Sequence, residues 1–320
     1  MPQYRELPTK DGWKADLGLT GFFFGNKKSP FPALQRIGAL MDMYHGSKEP
    51  RARMFICIDI LRHAKFILKC ATKDVSKLGG TPTEQQINAL KELQNYLESR
   101  LLLQLQAKDS RDLQEKMLFE TGRSVAEHEA VEDREKANDI RWYEGKGELL
   151  KLKLSFRNGQ VCKYNFIGDN KAELLIYDTV DFNDDIEFGG SLYVMDTGGR
   201  IYVSGETGEK SLKHSSFLKG DMTLAAGHLR VEKGSLKWVS ASSGHYKPTV
   251  KQMVNLLERL RSYAVNLKGV QVKRHNHSTA AQGRVDRYGF ETCSAEDMLK
   301  ARAWPGDNAN PQTMFIPSDK

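Results

Sequence analysis

Two clusters of small polar residues, each containing a histidine, hold the side chains in this chain most suited to chemistry. The first is Lys213-His214-Ser215-Ser216-Phe217-Leu218-Lys219-Gly220 and the second is Ser242-Ser243-Gly244-His245-Tyr246-Lys247-Pro248. A neutral imidazole beside a hydroxyl can act as base, acid or hydrogen-bond orienter near neutral pH. Ser242-Ser243-Gly244 precedes an expected helix, where free backbone N–H groups and the positive end of the helix dipole attract an anion. On this reading His214 and Tyr246 are the catalytic candidates. Ser215, Ser216, Phe217, Gly244, His245 and Lys247 would line a substrate or cofactor groove between the clusters. The same residues also have a structural reading. Their imidazoles would fix loops by hydrogen bonds, and Ser, Gly, His and Tyr would build the rigid turn that feeds a helix at Pro248. His214, His228 and His245 come without a carboxylate pattern, so no metal site is expected.

The elements that must position these clusters fall into two halves. Apolar residues Leu34, Ile37, Leu40, Met41 and Tyr44 recur at helical spacing after Pro32. A second helix from Pro50 to about Lys69 is apolar nearly all round, which marks the central helix of a bundle. Thr81-Pro82-Thr83-Glu84 reads as a capping box with Thr81 as N-cap and Pro82 in the first turn of a helix running to Leu105. An increasingly polar helical stretch follows from Ser110 to about Ile140.

The pattern changes at Glu144-Gly145-Lys146-Gly147. Leu150-Lys151-Leu152-Lys153-Leu154 alternates like a strand, and Asn158-Gly159 signals a tight hairpin turn into a second strand over 160–166. Further strands are expected at 173–177, 192–196, 200–204, 229–231, 236–240 and 270–272, with an amphipathic helix after Pro248. The fold class is α+β: a helical domain over 1–143, then a mainly antiparallel α+β domain over 144–272. The stretch 273–320, rich in Asn, Gly, Ser and Pro, is expected to be a tail that packs back or is partly disordered.

Composition narrows the function classes. The 320 residues include 48 Lys+Arg against 41 Asp+Glu, a formal charge of +7. That is a solvated surface with a mild basic bias, and part of the excess lies after Val272, so nucleic acid is not expected as a partner. Lys273-Arg274-His275-Asn276-His277 reads as a basic surface turn. The acidic run Asp178, Asp181, Asp184, Asp185 and Glu187 lacks the spacing of an EF-hand loop. No apolar run reaches the ~18 residues of a membrane span, and the first residues do not form a signal peptide. Cys57, Cys70, Cys162 and Cys293 form no Cys-x-x-Cys pair and read as reduced, buried thiols of a chain made in the cytoplasm.

The series His-Ser-Ser-Phe-Leu at 214–218, Ala-Ala-Gly at 225–227, the Val231-x-x-Gly234-x-Leu236 hairpin and Ser-Gly-His-Tyr-Lys-Pro at 243–248 resembles a domain found in two settings. One is the plant calmodulin-binding proteins with an IQ motif, and the other is the C-terminal region of bacterial secreted toxins and effectors. The resemblance spans 192–272. No Ile-Gln-x-x-x-Arg-Gly-x-x-x-Arg run occurs in this chain, and the helical first half fits the bacterial setting.

That setting implies a virulence effector or toxin-like protein exported by a signal-peptide-independent system. It would act on a protein target in another cell, with an immunity protein or a secretion chaperone as partner. The resemblance itself implies no activity; a chemistry that the two clusters could support is NAD-dependent ADP-ribosyl transfer. His214 would hold the nicotinamide ribose and Tyr246 would stack on the nicotinamide. The acid needed for the oxocarbenium-like transition state is missing from the pattern, Glu258 lying within the expected helix and Glu291 and Glu296 in the tail. The plant setting implies the alternative, a non-enzymatic calmodulin-binding or scaffold module. Whether the chain is an enzyme stays open at this point.

Overall fold

A computed structural model describes residues 17, 32–121, 146–167, 171–180, 190–204, 213–218, 222–243, 246, 248–275 and 290–305. The chain divides into two units, Met1–Met117 and Leu118–Lys320.

In the first unit the helical periodicity becomes helices α1 (Pro32–Gly46), α2 (Pro50–Lys73) and α3 (Glu84–Gln104). A 3-10 turn at Val75–Leu78 links α2 to α3, and α4 (Ser110–Glu120) crosses the division between the units. Helix α2 is the centre of the bundle, as its all-round apolar character predicts. It packs on both α1 and α3 and buries Phe55, Ile56, Ile58, Ile60, Leu61 and Ile67. Its buried Asp59 is met by Arg36 at 3.6 Å, which offsets the cost of taking a carboxylate out of water. Helix α3 contributes the stripe Leu90, Leu93, Leu97 and Leu101, all fully buried and each stabilising by about 2 kcal/mol.

The cap of α3 differs from the sequence reading. Thr83, not Thr81, is the N-cap: its side chain accepts from Gln86 N at 3.2 Å, and Gln86 Oε1 accepts from Thr83 N at 2.9 Å. Gln86 supplies the reciprocal amide at the third helical position, so the box closes two residues later than expected. The polar stretch after α4 lies mostly outside the described residues.

In the second unit, helix α5 (Lys146–Leu152) stands where the Leu-Lys alternation suggests a strand. Leu149 and Leu152, three apart, pack on the core while Leu150 stays exposed, so the helical period prevails over the alternating one. Three strands follow as one antiparallel sheet, β1 (Leu154–Arg157), β2 (Gln160–Ile167) and β3 (Lys171–Ile176), in the order β1-β2-β3. Asn158 and Gly159, with φ of 52° and 77°, form the expected tight turn.

The larger sheet holds β4 (Ser191–Met195), β5 (Ile201–Val203), β6 (Ala225–Glu232), β7 (Ser235–Ser240), β8 (Gln271–His275) and β9 (Phe290–Ser294). Its order is β5-β4-β6-β7-β8-β9, and all neighbours are antiparallel except β7 and β8. That parallel pair needs a crossover, which helix α7 (Val250–Ser262) provides. A one-turn helix α6 (His214–Leu218) precedes β6, and α8 (Ala295–Ala301) follows β9 and packs on α7. The architecture is therefore α+β: helices first, then mainly antiparallel sheets. Part of the stretch expected to be a tail is structural. Lys273, Arg274 and His275 lie in β8, and β9 and α8 come from residues beyond them.

Candidate functional site

Strand β6 organises the motif residues. Pairing with β4 sets Leu192 opposite His228, Tyr193 opposite Gly227 and Val194 opposite Ala226. On the other side, β7 ends at Ser240, whose carbonyl lies against Gly227. A Cβ on Gly227 would stand 1.9 Å from that oxygen, so only glycine fits. Ser240 is a hub: its carbonyl accepts from Tyr193 OH at 3.0 Å, and its Oγ accepts from His228 N at 3.0 Å. The Ala225-Ala226-Gly227 run thus reflects close approach of backbone at the end of β7.

Helix α6 lies over this junction. Lys213 N donates to Ser216 Oγ at 3.0 Å, and Ser216 N donates back to the Lys213 carbonyl at 3.0 Å, which closes its single turn. His214, Ser215, Ser216, Phe217 and Leu218 are all buried. His214 Nε2 lies 2.9 Å from the Gly227 carbonyl; because a carbonyl only accepts, Nε2 carries the proton. The His214 ring meets that of His228 edge-on, with centroids 5.4 Å apart and planes at 88°. Burial, reinforced by neighbouring His214 and His275, pushes the His228 pKa from 6.5 down to about 3, so its ring is neutral at physiological pH.

The second cluster forms the start of the β7–α7–β8 crossover. Ser242 N lies 3.4 Å from Ser240 Oγ, and Tyr246 N lies 3.4 Å from Ser243 Oγ. Thr249 caps α7 in a reciprocal box with Gln252, at 3.3 and 3.0 Å. Tyr246 enters an apolar cluster with Leu152, Val194, Tyr202, Phe217, Leu218 and Ala226. The fold therefore brings Phe217 of the first motif and Tyr246 of the second together, but inside the core. Both are under 3% exposed, as are Ser215, Ser216 and Ser243. Gly244, His245 and Lys247 lie outside the described residues.

The three candidate acids are placed elsewhere. Glu258 on α7 pairs with Arg302 at 2.5 Å, and Glu296 is exposed in the first turn of α8. Glu291 on β9 is buried against Arg274 on β8, its Oε2 receiving Nη2 at 2.6 Å and Nε at 2.7 Å. The Trp304 ring covers the Arg274 guanidinium at 4.3 Å. This buried pair was not legible in the sequence, where Arg274 belonged to a basic string and Glu291 to the tail.

The four cysteines are free, and Cys57, Cys70 and Cys162 are buried. Burial pushes the thiols of Cys57 and Cys293 up to about 12, which leaves them as thiols and poor nucleophiles. Among the described residues, no group of three or more His, Cys, Asp or Glu side chains is placed to hold a metal ion. No helix among them is long and apolar enough to cross a membrane.

Residues 163–253 match the family model for the IQ motif-containing protein middle domain. Among curated proteins, the chain is similar to IQ domain-containing protein IQM3 of Arabidopsis thaliana, at 43% identity over 83 residues. That match covers 26% of this chain and 18% of the relative. IQM2 of the same plant is 41% identical over 81 residues, covering 25% and 13%, and IQM4 is 33% identical over 96 residues, covering 29% and 18%. The chain thus spans less than a fifth of the length of these relatives. No solved structure matches the chain.

These matches overturn the bacterial reading. The similar proteins are plant IQ domain-containing proteins, so the expectations of a secreted effector or toxin, of virulence, of ADP-ribosyl transfer and of export by a signal-peptide-independent system are set aside. NAD entered only as the donor for that reaction and has no separate support in the geometry. Both motifs lie within the matched residues, whose similarity is to the middle domain of the IQ motif-containing proteins.

Proposed function

We propose that the chain is a non-enzymatic binding and scaffold module, with calmodulin as the first partner to test. The observation that carries this reading is the burial of the motif side chains. His214 donates to a strand carbonyl, Phe217 and Tyr246 pack in one apolar cluster, and Ser240 holds two strands and the start of the crossover. Side chains used in this way build a rigid body. Neutral His228 beside them adds no group that titrates near pH 7.

Support for calmodulin comes from the relatives, which are IQ domain-containing proteins. This chain carries no IQ run, so the reading expects contact through other residues of the folded chain. The test is titration of the full chain with calmodulin, with and without Ca²⁺, alongside a measurement of NAD consumption. Saturable binding without NAD consumption supports the module. NAD consumption that is lost in a folded His214→Ala variant overturns it. Absence of binding in both calcium states removes calmodulin as the partner.

A further inference from the structure

Strand β3 has an apolar outer edge that pairs with no other strand among the described residues. Its pairing with β2 fixes which groups point outward. Tyr177 N donates to the Val161 carbonyl, and the two residues are in register with the β2–β3 ladder, so alternate positions 171, 173 and 175 hydrogen-bond to β2. The outward N–H and C=O groups therefore belong to Ala172, Leu174 and Ile176.

Both faces of this end of the sheet are open. Tyr164 and Phe166 lie on the same face as Leu174 and Ile176, and Ile167 and Leu175 lie on the other. Ile176 and Ile167 are more than 50% exposed, and Tyr164, Phe166 and Leu175 about 40%. At the other side of this sheet, Lys153, just before β1, bridges to Tyr202 of the larger sheet.

We propose that β3 pairs antiparallel with β3 of a second copy of this chain about a two-fold axis through Leu174. This inference does not depend on the function proposed above. The register follows from charge and size. An axis through Glu173 would set two carboxylates opposite one another, and an axis through Leu175 would set the outward Ala172 against Asp178, beyond the end of the strand at Ile176. An axis through Leu174 sets Leu174 against its copy and Ala172 against Ile176, so every outward backbone group faces another outward group.

On the other face, Glu173 stands opposite Leu175 of the second copy, whose β2 neighbour is Lys163, so opposite charges share one cross-strand row. Edge pairing extends the sheet in its own plane and leaves its faces largely open, so the area buried stays below the roughly 1,000 Å² that a stable specific interface needs. The dimer is therefore weak and concentration-dependent. Because the contact is two-fold and each copy has one β3, pairing uses that edge on both copies and closes after two instead of extending into a fibre.

The test is sedimentation velocity of the full chain across a dilution series reaching about 100 µM, where a weak specific interface is populated. The proposal expects a mass moving from 36.2 kDa to twice that value as concentration rises. Ala172→Pro, which removes one outward N–H without touching a β2 bond, and Ile176→Lys are each expected to weaken dimerisation at least about tenfold while leaving the thermal melt unchanged. A monomer at every concentration overturns the proposal. So does a dimer that both variants leave intact, because another face would then be responsible.

Discussion

Gly227→Ala is the sharpest perturbation of the junction that holds both motifs. The new methyl group would stand 1.9 Å from the Ser240 carbonyl oxygen, 2.8 Å from its carbon and 3.2 Å from Ser242 N, all of them backbone atoms. Overpacking against mobile side chains costs about 1–3 kcal/mol. Here relief requires β6 and β7 to separate. Such movement would strain Tyr193 OH to the Ser240 carbonyl, His228 N to Ser240 Oγ and His214 Nε2 to the Gly227 carbonyl. Loss of even one of these buried bonds adds about 1 kcal/mol, so the total should be about 3 kcal/mol or more.

Gly269→Ala is the matched control. Gly269, unlike Gly227, has a left-handed backbone, with φ of +76°, but nothing lies within 4 Å of its added Cβ. Its cost is the left-handed conformation alone, about 1 kcal/mol. Urea unfolding read by tryptophan fluorescence reports mainly on the second unit, which contains three of the four tryptophans, Trp142, Trp238 and Trp304. A Gly227→Ala cost no greater than that of Gly269→Ala would refute the close-approach argument.

Two further predictions concern buried charge. His228 has a folded pKa of about 3 against 6.5 when unfolded, so the unfolded chain binds more protons between those values. Its contribution is constant well above pH 6.5, and stability falls by up to about 1.4 kcal/mol per pH unit as pH drops toward 3. His228→Gln should flatten that slope in urea midpoints measured from pH 7 to pH 4, and an equal slope in the variant would contradict the assignment. For the Arg274–Glu291 pair, Glu291→Gln leaves a buried guanidinium without its counter-charge and should cost about 3 kcal/mol. The double variant Arg274→Met, Glu291→Leu should recover much of that loss in a thermal melt, whereas additive losses would show that the pair is not coupled.

How much of this was legible in the sequence depends on the distance over which each feature is determined. Asn158-Gly159 and Lys233-Gly234 were readable because both residues of each turn need positive φ, a local demand on residue type. The all-round apolar character of α2 likewise announced its central place. The Leu-Lys run before β1 misled, since five alternating residues fit a strand as well as the last turn of a helix. Only the partners of Leu149 and Leu152 decide between them.

Long-range features left no trace. The parallel β7–β8 pairing requires that a strand some 30 residues later return to the same sheet, and the Arg274–Glu291 pair depends on β9 adding to it. The motif residues were read as lining an open groove, whereas His214, Ser215, Ser216, Phe217 and Tyr246 are buried. Nothing in Ser-Gly-His-Tyr distinguishes a ring that faces a ligand from one that fills a core, and the plant relatives were needed to correct the bacterial reading.

The central claim is that the motif side chains build the domain, and Tyr246→Ala tests it most directly. Tyr246 is 2% exposed in a cluster with Phe217, Tyr202 and Leu152. Truncating such a ring should destabilise the second unit by about 3–5 kcal/mol in urea unfolding. A loss below about 1 kcal/mol, the range of surface substitutions, would place the ring outside the core and contradict the account.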